Sequence, residues 1–398
     1  MMKIPFSPPD ITEAEIQEVA AAMRSGWITT GPRTKELEKR LAAFCHSAGA
    51  VCLNSATAAL ELNLRVLGIG PGDEVITSAY TYTASASPIV HVGATPILVD
   101  TAKDSYEMDY DALEAAITPR TKAVIPVDIA GIVCDYDRIF AIVESKKNIF
   151  SPSNDIQRAM GRVAVMADCA HALGAQWHGQ MAGSIADFSS FSFHAVKNFT
   201  TAEGGCATWR HIDGIEDDTL YKHYQLLSLH GQNKDALAKT KLGAWEYDIQ
   251  GCYYKCNMTD IMSAMGLVQL NRYKGLLQRR QEIINRYNAG LKELPIEVLE
   301  HSGKTHLSSG HLYMMRLRNK SVKERNKFIE AMAQLGVATN VHYKPLPMMT
   351  AYKELGFDIA DFPHAYAQFA NEVTLPLHTK LTDEEIDYII ESVHKCLN

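Results

Sequence analysis

Residues 187–205 read DFSSFSFHAVKNFTTAEGG, and one lysine, Lys197, lies near their middle. Three phenylalanines alternate with serines before it, which predicts a mostly buried strand that ends near Phe193. Threonines and two glycines follow it and are typical of a turn. An amine presented on such a loop can be desolvated and lose its proton near neutral pH. The stretch alone is compatible with a nucleophilic lysine at the end of a strand, although a lysine in a loop is more commonly a solvated surface residue.

The composition is that of an ordinary globular protein. The chain has 398 residues, of which 46% are hydrophobic and 21% are charged, and its formal net charge is -7. This length allows two or three domains, or one large α/β unit with a smaller partner. The acidic balance and the lack of a basic stretch argue against nucleic acid as the main partner.

Cysteine usage and hydropathy indicate the compartment. The eight cysteines include no C-x-x-C pair, and most stand among apolar residues, as buried free thiols do. Cys252 and Cys256 lack a second ligand pair at zinc spacing, so no metal site is expected. The N-terminal MMKIPFSPPD has no apolar signal region, and no apolar run of about 18 residues occurs. We therefore expect a cytoplasmic protein without a membrane span.

From residue 50 onward, short apolar runs alternate with helical stretches, a pattern that predicts a mostly parallel sheet wrapped by helices. The predicted strands are Ala50–Leu53, Glu74–Thr77, Thr95–Asp100, Ala123–Val127, Val163–Asp168, Phe188–Phe193 and Gly205–Trp209. The predicted helices between them are Ala56–Leu67, Tyr80–Val92, Asp109–Ile117 and Asp135–Ser145. The polar segment 146–162 is predicted to be a surface loop without a chemical role.

Further elements are predicted at both ends of the chain. Thr12 and Glu15 form a capping box that opens a first helix. The other predicted elements are helices at 34–46, 215–229, 259–294 and 322–336, strands at 310–317 and 338–342, a polar mobile loop at 230–248, and a last helix opened by Thr382 and Glu385. We expect a large α/β domain at residues 12–255 and a small α+β domain at 256–398, with residues 1–11 extended near the latter.

Several segments, in order along the chain, resemble the DegT/DnrJ/EryC1/StrS family of sugar aminotransferases. The lysine segment SFHAVKNFTTAEGG at 192–205 and DCAHALG at 168–174 carry most of the likeness. The others are SGWITTGP at 25–32, NSATAAL at 54–60, IGPGDEVI at 69–76, GATPILVD at 93–100, ITPRTKAVIPV at 117–127, NMTDIMSAMGLVQL at 257–270 and LPLH at 375–378. The resemblance implies fold type I of the pyridoxal 5'-phosphate (PLP) enzymes, with a seven-stranded, mostly parallel sheet, and PLP as the cofactor.

PLP needs an amine for its aldehyde and an anion at its ring nitrogen. By resemblance, Lys197 supplies the amine. Asp168 ends the apolar run VAVMAD, which predicts a carboxylate at the carboxyl end of a buried strand, where open α/β sheets bind ligands. A helix cap or a turn is the alternative role for this aspartate. Its position ahead of the candidate lysine favours the cofactor role.

The phosphate of PLP needs an anion site. Ser55, Ala56 and Thr57 stand where a predicted strand meets a predicted helix, so free amides, hydroxyls and the helix dipole favour an anion there. Ordinary helix caps are the alternative. The resemblance adds Ser192, because the family uses a serine five residues before its lysine to reach the same phosphate.

The ring of PLP and the substrate need further partners. In SAYTYTASA at 78–86, the resemblance aligns Tyr82 with the family's stacking aromatic residue, while packing is the alternative for Tyr80 and Tyr82. His171 is expected on the other face of the ring or against its oxygen. The candidate substrate contacts are Thr30, Gly31, His194, His311, His342 and Tyr343. For His311, His342 and Tyr343, packing is an equally good explanation.

Two positions depart from the family's usual sequence. The family reads G-Y-N-Y-R ahead of its T-D-I motif, whereas this chain has YYKCN at 253–257. The resemblance makes Lys255 a contact to the cofactor phosphate of the neighbouring subunit, which predicts a homodimer with shared sites, although Tyr253 in place of glycine alters the loop. Asp128, in DIAG at 128–131, stands where histidine is frequent. This second departure predicts a change in substrate choice.

The resemblance implies a two-stage transamination between glutamate and a nucleotide-linked keto sugar, which serves surface polysaccharide or lipid A. SGWITTGP and SFHAVKN are most similar to the branch that aminates UDP-4-keto-pentose to the 4-amino-4-deoxy-L-arabinose precursor, followed by UDP-4-keto-6-deoxyhexose transaminases. Lys197 would be both the covalent anchor and the proton carrier. One alternative is a PLP-dependent sugar dehydratase of the same fold, which has histidine at the lysine position. The other is a non-catalytic regulator that binds PLP or an amino sugar.

Overall fold

A computed structural model of the protein describes residues 2–234 and 246–397. The strands in these parts are β1 (Gly49–Leu53), β2 (Glu74–Ser78), β3 (Thr95–Val99), β4 (Thr121–Ile125), β5 (Ala164–Asp168), β6 (Gln176–Trp177), β7 (Gln180–Met181), β8 (Phe188–Ser192), β9 (Gly205–Trp209), β10 (Ile296–Val298), β11 (His306–Leu307), β12 (Tyr313–Leu317) and β13 (Glu372–Leu375). The α-helices are α1 (Glu13–Arg24), α2 (Pro32–Cys45), α3 (Ala56–Val66), α4 (Ser87–His91), α5 (Tyr110–Ala116), α6 (Tyr136–Ser145), α7 (Asp155–Met160), α8 (Asp217–Ser228), α9 (Asp260–Leu291), α10 (Val322–Gln334), α11 (Thr350–Glu354), α12 (Pro363–Asn371) and α13 (Asp383–Leu397).

The central sheet has seven strands in the order β1-β9-β8-β5-β4-β2-β3. Strand β9 runs antiparallel to both of its neighbours, and the other neighbouring strands are parallel. The predicted seven-stranded, mostly parallel sheet is therefore confirmed, and each of the seven strands predicted between residues 50 and 209 lies within two residues of the observed bounds.

Both faces of the sheet are covered by helices. Ala50 and Cys52 of β1 lie in a core with α2 and α6, whereas Val51 and Leu53 lie in a second core with α3 and α8. Successive residues of a strand point to opposite faces, so one apolar run can fill both cores. The carboxyl ends of the parallel strands are thereby left for a ligand site, as in other open α/β sheets.

The C-terminal part contains an antiparallel sheet in the order β10-β12-β13, which packs with α10 and α13. The long α9 connects it to the rest, because Tyr273 lies in the first core of the central sheet while Ile283 and Tyr287 lie in the C-terminal core. Near the N-terminus, Ile4 pairs with Val337, and its amide donates to the Gly336 carbonyl at 2.9 Å. The domain division at 255 and 256 stays a prediction.

The predicted helix Tyr80–Val92 is wrong in its first half. Residues 83–85 form a short 3₁₀ turn, and α4 begins only at Ser87. The Ser78 hydroxyl accepts the Tyr80 amide at 3.1 Å, and the hydroxyls of Thr81 and Ser85 lie 2.7 Å apart. Short hydroxyl side chains compete with helical backbone bonds in this way.

The predicted strand 338–342 is also wrong, because only Asn340 pairs with a neighbouring strand residue, Thr374. The amide of His342 donates instead to the Glu372 carboxylate at 2.8 Å, and the amide of Tyr343 donates to the Tyr80 hydroxyl at 2.9 Å. Side chains therefore satisfy backbone groups that a ladder would otherwise pair.

The segment 146–162, predicted to be a polar surface segment, contains a 3₁₀ turn at 147–149 and α7. The Asn154 side chain caps α7 by accepting the Gln157 amide at 2.9 Å, and Gly161 ends it with φ 65°. An Asn cap and a left-handed glycine are the usual limits of a helix. The predicted mobile loop 230–248 falls largely outside the described residues, which omit 235–245.

Three other features bear on the predictions. None of the helices in the described ranges has the length and apolarity that a membrane span requires. In the same ranges, no three or more His, Cys, Asp or Glu side chains are grouped as a metal site would need. The eight cysteines are free thiols.

Candidate active site

Lys197 and Asp168 lie in the wall of a cavity of about 330 Å³, here named the lysine cavity. This volume is typical of small-molecule sites, which span roughly 300–1,000 Å³. Asp168 is the last residue of β5, and Lys197 lies in the turn after β8, where its amide donates to the His194 carbonyl at 2.9 Å. The two strands are parallel neighbours, so both side chains reach the same edge of the sheet.

The amine of Lys197 is set up to act as a nucleophile. Burial lowers its pKa from 10.5 to about 8, and the negative charge of Asp168 opposes that shift. A fraction of the amine is therefore neutral near neutral pH. Only the neutral amine can attack a carbonyl carbon.

The carboxylate of Asp168 is buried and held in a fixed direction. The Ser85 hydroxyl donates to Oδ2 at 2.6 Å, and the Ala170 amide donates to Oδ1 at 3.1 Å. Burial raises the pKa of Asp168, while the bonds from Ser85 and Ala170 and the charge of Lys197 oppose the rise. A carboxylate at this position can hold a proton on a cationic ring nitrogen.

The N-terminus of α3 forms one side of the lysine cavity, through Ser55, Ala56 and Thr57. Ser55 is the N-cap, and its hydroxyl accepts the Ala58 amide at 3.1 Å. A Cβ at Gly205 would lie 2.3 Å from the Ser55 carbonyl carbon and 2.4 Å from the Ala56 nitrogen. Glycine therefore lets β9 lie directly against this helix start. Free amides and the helix dipole make such a start an anion site.

The lysine cavity is also lined by Ser192 and His194, which precede Lys197. The Ser192 hydroxyl accepts the His194 amide at 3.4 Å. The His194 imidazole is partly exposed, and its Nε2 lies 3.6 Å from Oε1 of Glu203, another residue of the cavity wall. The phosphate role of Ser192 and the substrate role of His194 stay predictions.

Two tyrosines and a histidine cover the cavity. The rings of Tyr82 and Tyr343 have centroids 5.9 Å apart, and Tyr82 is 61% exposed. His171 Nδ1 accepts the Ala130 amide at 3.2 Å, so the neutral ring carries its proton on Nε2 and donates it to the Tyr343 hydroxyl at 3.0 Å. Burial lowers the pKa of His171, and the charge of Lys197 lowers it further.

A second cavity of about 500 Å³, the adjoining cavity, shares Thr81, Tyr82 and Tyr343 with the lysine cavity. Residues 340–344 form much of its wall, so His342 lies here and not in the wall of the lysine cavity. Burial lowers the pKa of His342 to about 4. Of the substrate contacts predicted in the C-terminal part, Tyr343 is the one that lies in the wall of the lysine cavity.

His311 is not part of either cavity wall. Its ring packs against His171 with centroids 4.3 Å apart, and its Nδ1 lies 2.8 Å from the side-chain Oδ1 of Asn198. This geometry indicates that His311 supports His171. Its substrate role stays an untested prediction.

The structure does not bring Thr30, Gly31 or Lys255 to the wall of the lysine cavity. The Gly31 amide donates to the Asp260 carboxylate at 2.8 Å, and Thr30 is bonded to the Asn257 side chain. Lys255 is exposed, and its amine also contacts Asn257. The three predicted residues thus contact Asn257 or Asp260, just before and at the start of α9, and their roles at a neighbouring subunit's site stay predictions.

The residues present fit PLP by their chemistry. A partly neutral amine and a buried carboxylate lie in one cavity with a helix N-terminus, which suits an aldehyde, a ring nitrogen and a phosphate. The family model described as the DegT/DnrJ/EryC1/StrS aminotransferase family matches residues 9–394. This chain belongs to that family. It is a PLP-dependent aminotransferase.

Relatives of this aminotransferase family match almost the whole chain. The spore coat polysaccharide biosynthesis protein SpsC of Bacillus subtilis (strain 168) is 38% identical over 98% of this chain and 96% of its own. Spr1654 of Streptococcus pneumoniae, named as a sugar aminotransferase, is 62% identical in its PMP form, with TM-score 0.97 over 99% of this chain and 98% of its own. PseC of Helicobacter pylori, an aminotransferase of pseudoaminic acid biosynthesis, is 28% identical, with TM-score 0.86 over 100% of this chain and 99% of its own.

The chemistry divides between cofactor and protein. When bound, PLP supplies an electron-accepting ring that acidifies the proton on the carbon bearing the amino group. We expect Nζ of Lys197 to hold the aldehyde carbon of bound PLP, and the same amine would carry that proton when free. The carboxylate of Asp168 would hold the proton on the ring nitrogen, and the amides at the start of α3 would hold the phosphate. Tyr82, Tyr343 and His171 would orient the ring and exclude water.

Sequence reasoning missed Ser85, the hydroxyl donor to Asp168. Ser85 lies in a stretch rich in serine and threonine, where no spacing marks one hydroxyl above the others. It also missed Glu372, which binds the backbone of the 340–344 segment. A single acidic residue ahead of an apolar run gives no signal of that contact.

Proposed function

We propose that this aminotransferase moves the amino group of glutamate onto a keto sugar linked to a nucleotide, in the biosynthesis of an amino sugar for a surface polysaccharide. The observation that carries the proposal is the lysine cavity, where the amine of Lys197 and the carboxylate of Asp168 meet at the carboxyl ends of the sheet. That pair performs amino transfer, and the names of the relatives favour a sugar as the acceptor.

The polar rim of the lysine cavity favours a hydroxylated substrate. Thr81, His194 and Tyr343, whose side chains carry hydroxyl or imidazole groups, are among the residues of its wall. Sites built from such groups bind hydroxyls and reject analogues that lack them. A keto sugar offers several hydroxyls next to the reacting carbonyl.

Within the sugars, we propose a UDP-4-keto-pentose or a UDP-4-keto-6-deoxyhexose as the acceptor. The likeness of SGWITTGP at 25–32 and SFHAVKN at 192–198 to enzymes of those substrates supports this choice. The pentose would lead to the 4-amino-4-deoxy-L-arabinose of lipid A, and the deoxyhexose to another surface polysaccharide. Assays with both sugars would distinguish them.

We further propose that the enzyme works as a homodimer. Lys255 is exposed next to the loop 25–32, in which Ile28 is 52% exposed, and the neighbouring α1 presents Ile16 and Met23 at 55% and 59%. Exposed apolar side chains on α1 and the loop that follows it favour a partner surface. Sedimentation of the purified protein should give twice the chain mass of 44.1 kDa. Mixing Lys255→Ala with Lys197→Ala chains should restore part of the activity if sites are shared.

The decisive experiment follows the absorbance of bound PLP in the purified protein. Glutamate should convert the cofactor to its amino form, and addition of the correct keto sugar should restore the original spectrum with formation of an amino sugar. A dehydratase would release water from the sugar without adding nitrogen. A non-catalytic regulator would bind PLP or the amino sugar with no glutamate-dependent change in either. Either result would refute the proposed function.

A further inference from the structure

Asp128, the second departure from the family's sequence, is a buried carboxylate with no role in the chemistry described above. It is 1% exposed. Its Oδ1 accepts the Cys134 amide at 3.0 Å and the Tyr136 hydroxyl at 3.2 Å, and its Oδ2 accepts the Cys169 thiol at 3.2 Å. These donors are neutral groups, so the negative charge of an ionised Asp128 is not balanced by them.

Asp128 is hydrogen-bonded to two successive residues at the end of β5, Asp168 and Cys169. The Asp128 amide donates to the Asp168 carbonyl at 3.1 Å. The thiol bonded to the Asp128 carboxylate belongs to Cys169, the next residue along the chain. Asp128 therefore holds the end of β5 through its backbone and through its side chain.

Asp128 also closes the loop that reaches His171. Its carbonyl accepts the Gly131 amide at 3.1 Å, and its carboxylate accepts the Cys134 amide. Inside the loop, Ala130 has φ 60°, in the left-handed region that residues other than glycine rarely adopt. Its amide binds His171 Nδ1 at 3.2 Å. A loop held in such a conformation needs fixed ends, and Asp128 provides one of them.

We propose that Asp128 is a positioning residue for the cofactor site, which holds Asp168 and His171 in place and brings a second carboxyl group to the wall of the lysine cavity. Both of its carboxylate oxygens are bonded to groups of the protein, so the side chain is held in a fixed direction in that wall. The inference does not depend on which acceptor the enzyme uses.

The charge of Asp128 changes within the working range of pH. Burial raises its pKa to about 7, while the hydrogen bonds that it accepts oppose the rise. Below that pH the carboxyl is neutral, and above it the site gains a negative charge. The titratable groups that interact with its carboxyl are Cys134 and Tyr136, just before and at the start of α6, and Cys169 after β5, with Glu107 beyond Cys134. Asp168, His171 and Lys197 lie with it in the wall of the lysine cavity.

The variant Asp128→Asn tests this inference because an amide resembles the protonated carboxyl in shape and stays neutral at every pH. The experiment is a pH titration of the absorbance of bound PLP in the holoenzyme. We expect the variant and the wild type to agree below about pH 6 and to diverge above about pH 8, where only the wild type carries the extra charge. A nearby negative charge stabilises a protonated cofactor, so the midpoint of the variant should be lower by roughly half a pH unit or more.

A second pair of variants moves the pKa of Asp128 without removing it. Tyr136→Phe deletes one donor and should shift the onset of the extra charge to higher pH. Cys169→Ser supplies a stronger donor and should shift it to lower pH. These variants also test the inference if Asp128→Asn does not fold.

Asp187→Asn is the matched control. Asp187 is a buried carboxylate at the start of β8, bonded to Arg162 and Arg210, at the edge of the sheet opposite the lysine cavity. The Asp187→Asn variant should be less stable than the wild type, and the titration curve of its bound cofactor should be unchanged. The inference is overturned if Asp128→Asn matches the wild type at every pH or differs by the same amount at every pH. It is also overturned if Tyr136→Phe and Cys169→Ser shift the curve in the same direction, or if Asp187→Asn reproduces the effect.

Discussion

The lysine cavity and the adjoining cavity share a wall but are built in different ways. In the first, the groups that we predict to act on PLP stand at the ends of regular elements: Asp168 ends β5, Lys197 follows β8 and Ser55 caps α3. In the second, the wall is the irregular segment 340–344, whose amides bond to the side chains of Glu372 and Tyr80. Element ends leave a pattern in the sequence, whereas side chains that hold an irregular segment do not.

The largest expected effect is at the amine of the lysine cavity. Lys197→Ala removes both the covalent anchor and the proton carrier, so activity should fall by at least roughly 10²–10⁴-fold. Borohydride treatment followed by peptide mass spectrometry should find PLP fixed to the wild-type peptide at 197 and to no peptide of the variant. Lys344→Ala, which deletes an amine from the adjoining cavity, should retain the covalent attachment. Attachment that survived in Lys197→Ala would contradict the assignment of this cavity.

The next largest effect concerns the partner of the ring nitrogen. Asp168→Asn keeps the shape of the side chain but removes its charge, so kcat should fall by roughly 10²-fold or more while PLP still binds. Ser85→Ala removes one hydrogen bond to the same carboxylate and should cost only about fivefold. Stopped-flow measurement of the glutamate half-reaction checks both variants. Equal losses in the two variants would show that the carboxylate acts only through its hydrogen bonds.

The contrast between the two cavities also explains which strands, helices and site residues the sequence predicts correctly. The seven strands follow from apolar runs, and the positions of Asp168 and Ser55 follow from where those runs end. The helix predicted at 80–92 is wrong in its first half, because the Ser78 hydroxyl accepts the Tyr80 amide and the Thr81 hydroxyl bonds to that of Ser85. Periodicity does not reveal such contacts. The strand at 338–342 was predicted wrongly because its amides are satisfied by side chains distant in the sequence.

A smaller effect, on the free energy of unfolding and its pH dependence, is expected at Glu372, which bonds to the wall of the adjoining cavity. Burial raises the pKa of Glu372 from 4.5 to about 8, while the bonds from Thr374 and the His342 amide oppose the rise. A carboxyl whose pKa is higher in the folded state destabilises the fold as pH rises from the unfolded to the folded value. The free energy of unfolding of the wild type should therefore fall by up to a few kcal/mol between about pH 4.5 and pH 8 through this group.

Glu372→Gln imitates the protonated carboxyl, so its free energy of unfolding should not fall with pH through this group. The stability of the variant relative to the wild type should rise with pH across this interval, as measured by urea unfolding of the protein without PLP. Glu330→Gln, on the exposed face of α10, is the control and should show a difference that does not change with pH. A constant difference for Glu372→Gln as well would mean that Glu372 does not titrate in the folded protein.

The smallest effect tests whether the two cavities work together. Tyr343→Phe keeps the ring between them and deletes only the hydroxyl that accepts the His171 Nε2 proton at 3.0 Å. One neutral hydrogen bond contributes about 1 kcal/mol, so a rate that depends on it should fall about fivefold. Because Tyr343 lines both cavities, we expect the loss in the half-reaction with the keto sugar, which must occupy more space than glutamate. An equal loss in the glutamate half-reaction would instead assign the hydroxyl to the cofactor, and the adjoining cavity would then have no part in the acceptor step.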